Sequence, residues 1–240
     1  MISFKTGASS NYIKGYCQEF GDSEEFLRTV LKCSNEVFEI YEDGVFCGGA
    51  CVLDVSIVNN YTLKTGAYIY GAFICEKMRG KGLFRQLCAH IHEHYVQEFY
   101  DFILTIPASE DLFPLYERLG FSMPVYGSVS MTPRILRPKL PADIKFREFD
   151  GNYNDLYLLH ISSKEVIKDF DFFVASVEDF DIKYIYHGDE KGYAIFRNGR
   201  LIFVSASFAE HIVEKKGLIC PITDDFFVPD GLLCDFLFEV

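Results

Sequence analysis

The residues best placed for chemistry are Cys75-Glu-Lys-Met-Arg79-Gly-Lys-Gly82-Leu-Phe-Arg-Gln-Leu87. Two glycines bracket a lysine, an arginine precedes them, and from Leu83 onward apolar residues recur at three- and four-residue spacing. Upstream, Tyr68-Ile-Tyr-Gly-Ala-Phe-Ile74 is a short, wholly apolar run of the kind that forms a strand buried on both faces. The turn therefore joins a strand to a helix N-terminus, where unpaired amides and the positive end of the helix dipole converge. Glycine lets the backbone approach a ligand and take left-handed conformations. Arg79, Lys81 and Arg85 add positive charge. Such a turn suits an anion, most naturally a phosphate or pyrophosphate; taken alone, the residues fit an ordinary strand-to-helix connection equally well. No Lys-Ser/Thr pair follows a four-residue gap, so it is not a Walker loop, and Arg85 stands where a dinucleotide fingerprint needs its third glycine.

The elements that must position this turn read as follows. Ser23 to Lys32 is a helix with Asp22 or Ser23 as cap. Val37 to Cys47 is a hairpin turning at Asp43-Gly44. Gly71, inside the apolar strand, marks a bulge or a close backbone approach. Leu83, Phe84, Leu87, Cys88, Ile91 and Tyr95 recur at three- and four-residue spacing, the pattern of an amphipathic helix of about four turns. Phe102 to Ile106 is a buried strand stopped by Pro107. Leu112 to Leu119 is a short helix closed by Gly120, and Val125 to Met131 is a last strand. Strands alternating with helices give an α/β layered fold with a mixed α+β sheet.

Four of the eight prolines fall between Pro124 and Pro141, which places a linker at residues 136–143 between a domain at 1–135 and a smaller α+β region at 144–240. In that region Ile144 to Phe149 reads as a strand, Asn154 to Ile161 as a helix, and Tyr193 to Val204 as a hairpin on Asn198-Gly199. Ile195-Phe-Arg-Asn-Gly199 echoes Ile40-Tyr-Glu-Asp-Gly44, an echo that hairpin chemistry alone can produce.

The net charge is −12, which excludes a phosphate-backbone partner and therefore nucleic acid. Residues 1–140 hold 13 basic and 16 acidic side chains; residues 141–240 hold 10 and 19. That imbalance fits a cationic acceptor. No run approaches the ~18 apolar residues of a membrane span, and the N-terminus has no apolar signal core. Eight scattered cysteines without a Cys-x-x-Cys pair read as reduced thiols of a cytoplasmic protein. His90 and His94 share a helix face, but the order is not His-Glu-x-x-His and no further ligands are evident, so no metal is expected and a solvated helix edge is the reading. The sequence is compatible with a homo-oligomer.

A second motif, Tyr116-Glu-Arg-Leu-Gly-Phe121, follows a strand and a proline. Together with Arg79-Gly-Lys-Gly82-Leu-Phe84 it resembles the GCN5-related N-acetyltransferase (GNAT) superfamily, whose pyrophosphate turn reads Gln/Arg-x-x-Gly-x-Gly/Ala. Phe84 stands where that pattern has a small residue, and Ile106 where many members carry Asn. Phe20-Gly-Asp-Ser-Glu-Glu-Phe26, Tyr68-Ile-Tyr-Gly71 and Ile106-Pro-Ala-Ser-Glu-Asp-Leu-Phe113 resemble a subgroup with an extra C-terminal region, loosely related to the enhanced-intracellular-survival acetyltransferases. The similarity spans residues 12–131.

The resemblance implies acetyl-CoA as co-substrate, bound where two central parallel strands splay apart. The backbones of Phe73 and Ile74 would pair with its pantetheine arm. The amides of Arg79, Gly80, Lys81, Gly82, Leu83 and Phe84 would hold the pyrophosphate, and Tyr116 would protonate the departing thiolate. An acetyl group would pass directly to a primary amine of a small molecule or peptide. The alternative is a silent acyl-CoA-binding sensor or interaction module of the same fold. Many relatives place a glutamate on the central strand as base; Tyr68 to Ile74 has none, which leaves water, Tyr70, or a Glu239 or Val240 carboxylate. Residues 144–240 lack the Arg-x-x-Gly-x-Gly turn, so no cofactor is expected there even as a degenerate repeat of the same fold.

Overall fold

The computed structural model describes residues 1–59, 61–127, 139–163, 165–205, 214–230 and 232–234. Strand β1 (Ile2–Thr6) leads into helices α1 (Ser10–Phe20) and α2 (Glu24–Cys33), then strands β2 (Glu36–Glu42), β3 (Val45–Asn59) and β4 (Thr62–Ile74). Helix α3 (Leu83–Gln97), β5 (Phe102–Thr105), α4 (Phe113–Glu117) and β6 (Met123–Gly127) follow. The rest comprises β7 (Lys145–Glu148), α5 (Tyr153–Ile161), β8 (Ile167–Lys168), α6 (Phe170–Val177), β9 (Asp181–His187), β10 (Glu190–Arg197), β11 (Arg200–Ser205) and β12 (Glu214–Pro221).

The first sheet runs β1-β2-β3-β4-β5-β12-β6, with β8 added beside β3. Its β4–β5 pair is parallel and the others are antiparallel, so the mixed α/β sheet expected from the sequence is present. Apolar residues of β4 point to both faces. Tyr68, Tyr70 and Phe73 join the core under α1 and α2, while Ala67, Ile69 and Ile74 join the core under α3. Leu83, Leu87, Cys88, Ile91 and Tyr95 of α3 are buried there, each large apolar side chain contributing about 1.5–3 kcal/mol by leaving water.

The expected division at residues 136–143 does not follow the sheets. Strand β12, assigned to the C-terminal region, lies between β5 and β6 of the first sheet and pairs with both. Strand β8 pairs with Val55 and Ser56 of β3. The physical reason is that β5 and β6 are not neighbours: their facing backbone groups must be satisfied, and β12 satisfies them. The first unit is thus closed by residues that come after the second.

The second sheet, β7-β9-β10-β11, is wholly antiparallel. Apart from β8, which stands between α5 and α6 and pairs with the first sheet, its chain order of strand, two helices and three strands matches β1-α1-α2-β2-β3-β4, and so does its strand order. The second sheet thus has the strand order of the first four strands of the first sheet. The hairpin echo is out of register with this match: β2–β3 corresponds to β9–β10, whereas Asn198-Gly199 joins β10 to β11. It is hairpin chemistry alone.

Candidate active site

The parallel ladder between β4 and β5 ends at the Ile69–Thr105 pair. Beyond it β4 continues to Ile74 while β5 stops, and the strands part. The cause lies in β4. Between the Cys51–Tyr70 and Gly49–Phe73 pairs it carries one more residue than β3, a bulge at Gly71-Ala72. Gly71 sits at φ 57°, in the left-handed region that glycine tolerates best. A Cβ there would lie 2.4 Å from the Tyr16 ring, so the close approach expected from the sequence exists.

The opening leads to a cavity of about 370 Å³. Ala72, Phe73 and Ile74 form its strand wall, Arg79, Gly80, Gly82, Leu83 and Phe84 its turn, and Tyr116 part of the opposite wall. Of the residues expected to hold the cofactor or act as the acid, only Lys81 lies off this lining; Tyr70, a candidate base, is off it too. Gly80 and Gly82 have φ of 78° and 74°, and both Cα positions face open space. Gly82 is the N-cap of α3; no side chain caps that helix, and no acidic residue occupies its first turn. Among the described residues the first amides of α3 thus have no side-chain acceptor, and the turn that carries them lines the cleft, which suits an anion.

The turn's side-chain charges behave differently from expectation. Arg79 Nε donates to the Ile74 carbonyl at 2.9 Å and its guanidinium pairs with Glu19. Lys81 Nζ donates to Glu42 at 2.6 Å. Both cations are spent on holding the turn to β4, α1 and β2. The anion preference rests on amides and helix dipole, with Arg85 and Lys77 as nearby exposed cations that have no ion pair among the described residues.

Tyr116 is 6% exposed. Burial raises its pKa, the neighbouring Cys88 adds to this, and the nearby Thr105 hydroxyl opposes it. The phenol therefore keeps its proton at neutral pH, as an acid must. Phe84 meets the Tyr116 ring edge-on at 5.6 Å and Phe121 does so at 5.5 Å. The residue that departs from the small-residue pattern thus fixes the orientation of the candidate acid.

On the opposite face of β4, the Tyr16 hydroxyl donates to Asp22 Oδ2 at 2.9 Å and lies 3.1 Å from the Tyr70 hydroxyl. Sequence reasoning singled out Tyr70 but missed α1 and hence Tyr16; α1 has a thin stripe, with only Tyr12 and Tyr16 buried. Its one clear signal is Ser9, whose side chain accepts from the Tyr12 amide. Burial pushes the Cys88 thiol up to about 12 and also raises Cys75, so neither is an activated nucleophile. His90 is no solvated edge: it stacks on Phe4 at 4.0 Å, and His94 lies 3.1 Å from Glu36. Among the described residues no three His, Cys, Asp or Glu side chains gather as metal ligands, and no helix is long and apolar enough to cross a membrane. Glu239 and Val240 lie outside the described residues.

Residues 18–126 match the family model described as an acetyltransferase (GNAT) domain. No curated protein sequence matches the chain. Among solved structures, a conserved protein of Enterococcus faecalis described as a probable N-acyltransferase is similar over 92% of this chain and 73% of its own, at 9% identity and TM-score 0.67. A GCN5-related N-acetyltransferase of Anabaena variabilis covers the same shares at 15% identity and TM-score 0.64. Eis1 of Mycobacterium abscessus is similar over 92% of this chain and 74% of its own, at 9% identity and TM-score 0.61. These likenesses extend through both sheets.

Proposed function

We propose that this chain, whose residues 18–126 match the family model described as an acetyltransferase (GNAT) domain, transfers an acetyl group from acetyl-CoA to a primary amine of a small molecule or peptide. One observation carries the reading. The length of β4 beyond the β4–β5 ladder, the turn that opens α3, and Tyr116 all line one cavity. Residues 72–74 would take the pantetheine arm, since that length of β4 has lost its β5 partner. The Gly80–Phe84 amides would take the pyrophosphate. The amine attacks the thioester carbonyl, the carbon–sulfur bond breaks, and Tyr116 gives its proton to the leaving thiolate. Without that proton a basic thiolate would have to depart into a buried site.

A silent acyl-CoA-binding module is the second reading. Phe84 favours it, because a ring against Tyr116 narrows the approach to the phenol. Acetyl-CoA-dependent acetylation across a panel of primary amines, with free thiol as the readout, separates the two. The wild type is expected to turn over. Tyr116→Phe is expected to lose about 10²-fold in kcat with the KM for acetyl-CoA little changed. Binding of CoA without turnover of any amine would establish the second reading.

A further inference from the structure

We infer that Tyr70, Tyr16 and Asp22 form a proton relay that deprotonates the acceptor ammonium; this rests on the acetyltransfer reading above. The direction of the hydrogen bonds follows from their chemistry. A phenol has one proton, and a carboxylate only accepts. Tyr16 therefore donates to Asp22 (2.9 Å), and Tyr70 donates to Tyr16 (3.1 Å).

The relay begins at the right place. Tyr70 follows Ile69, which pairs with Thr105 on the last rung before the strands part. Thr105 in turn neighbours Tyr116. Tyr70 belongs to the core under α1 and α2, Tyr116 to the core under α3. The candidate acid and the head of the relay thus lie on opposite faces of the sheet, beside the rung at which the ladder ends. The far end, Asp22, lies in the loop after α1, where water can take up a proton. The same helix bears Glu19, which pairs with the turn residue Arg79, and Phe20, which meets Phe73 edge-on at 6.2 Å. The relay is therefore held to the cofactor wall by two contacts.

The step balances. The ammonium gives a proton to the Tyr70 oxygen as Tyr70 passes its own to Tyr16, and Tyr16 passes its own to Asp22, which becomes a neutral acid and exchanges with solvent. The freed lone pair forms the nitrogen–carbon bond. The second nitrogen proton leaves as the tetrahedral intermediate collapses and offsets the one Tyr116 gave to sulfur. No group on the path needs to hold a net charge except Asp22, which explains how two phenols, of which Tyr16 is held far above the ordinary range by burial, can serve a deprotonation. Tyr70 is the catalytic residue; Tyr16 and Asp22 act through it.

A purely structural role is separated by the basicity of the acceptor. Wild type, Asp22→Asn, Asp22→Glu and Tyr70→Phe are assayed on alkylamines, which are protonated at neutral pH, each matched with a fluorinated counterpart that is neutral there. CoA binding is measured alongside by calorimetry. Asp22→Asn and Tyr70→Phe are expected to bind CoA like wild type. They should lose about 10²-fold in kcat/KM on the alkylamines, lose little on the fluorinated amines, and be partly restored in Asp22→Glu. Equal losses on both classes, or none on either, would overturn the relay while leaving acetyltransfer intact. Failure of wild type to bind CoA, or to turn over either class, would overturn the proposed function and the relay with it.

Discussion

Gly71 shows how a single backbone position sets the chemistry of this cleft. Its φ of 57° and the 2.4 Å approach of the Tyr16 ring to its missing Cβ exclude a side chain on both counts. Gly71→Ala should therefore lower stability by about 1–3 kcal/mol, from strain in the left-handed region and displacement of the Tyr16 ring. Urea unfolding checks it, and an unchanged midpoint would mean that the bulge is looser than described. This glycine was legible in the sequence because it interrupts an apolar strand without need. The pairing of Arg79 and Lys81 was not. Their partners, Glu19 and Glu42, stand 60 and 39 positions away, and nothing local announces them. Charge counted along the chain overstated the cationic character of the turn, because the fold brings carboxylates to it.

Among the elements, those with strong local patterns were readable. The α2 cap at Ser23, the α3 stripe and the Asp43-Gly44 hairpin each depend on contacts within a few residues. Strand β12 was missed for the opposite reason. Its sequence, Glu-Lys-Lys-Gly-Leu-Ile-Cys-Pro, is half charged or glycine, and it becomes a strand because β5 and β6 offer it two edges. Gly217 is needed there, since a Cβ would meet the Thr105 carbonyl at 2.5 Å. The consequence is testable. A chain ending at residue 143, which contains every residue of the proposed cleft, should fail to fold into a CoA-binding domain, because β5 and β6 would be left with unfilled edges. A soluble fragment with cooperative unfolding and CoA affinity equal to that of the whole chain would contradict this.

At the scale of the whole molecule the two units are joined by a buried polar knot. His160 is fully buried on α5. Its Nε2 accepts from the Lys168 amide of β8 at 3.1 Å, so the proton is on Nδ1, which faces Glu165 Oε2 at 3.3 Å. The Tyr193 hydroxyl of β10 donates to the same carboxylate at 3.3 Å, and the Ser163 hydroxyl at 3.0 Å. Burial opposes charge on Glu165, but His160 and Lys168 outweigh it and hold its pKa low. Burial also lowers the pKa of His160, keeping the ring neutral. Both folded-state values lie below the unfolded ones, so on acidification the unfolded chain binds protons that the folded chain does not. Stability should fall from about pH 6.5, where an unfolded histidine begins to protonate, and further below about pH 4.3, where an unfolded glutamate does. Melting temperature followed against pH tests this. Replacement of His160 by Gln should remove the first part of the dependence, and a wild-type profile flat from pH 7 to 5 would contradict the assignment.

The central claim is that the Gly80–Phe84 amides receive the pyrophosphate of CoA, and calorimetric titration of CoA into wild type, Gly82→Asn and Gly82→Asp tests it most directly. Asn and Asp tolerate the left-handed conformation about equally, so the pair differs mainly in a negative charge set at the mouth of α3. The expected result is saturable binding by wild type, modest weakening in Gly82→Asn, and loss of binding in Gly82→Asp. Equal affinities for the Asn and Asp variants, or no binding by wild type, would contradict the account.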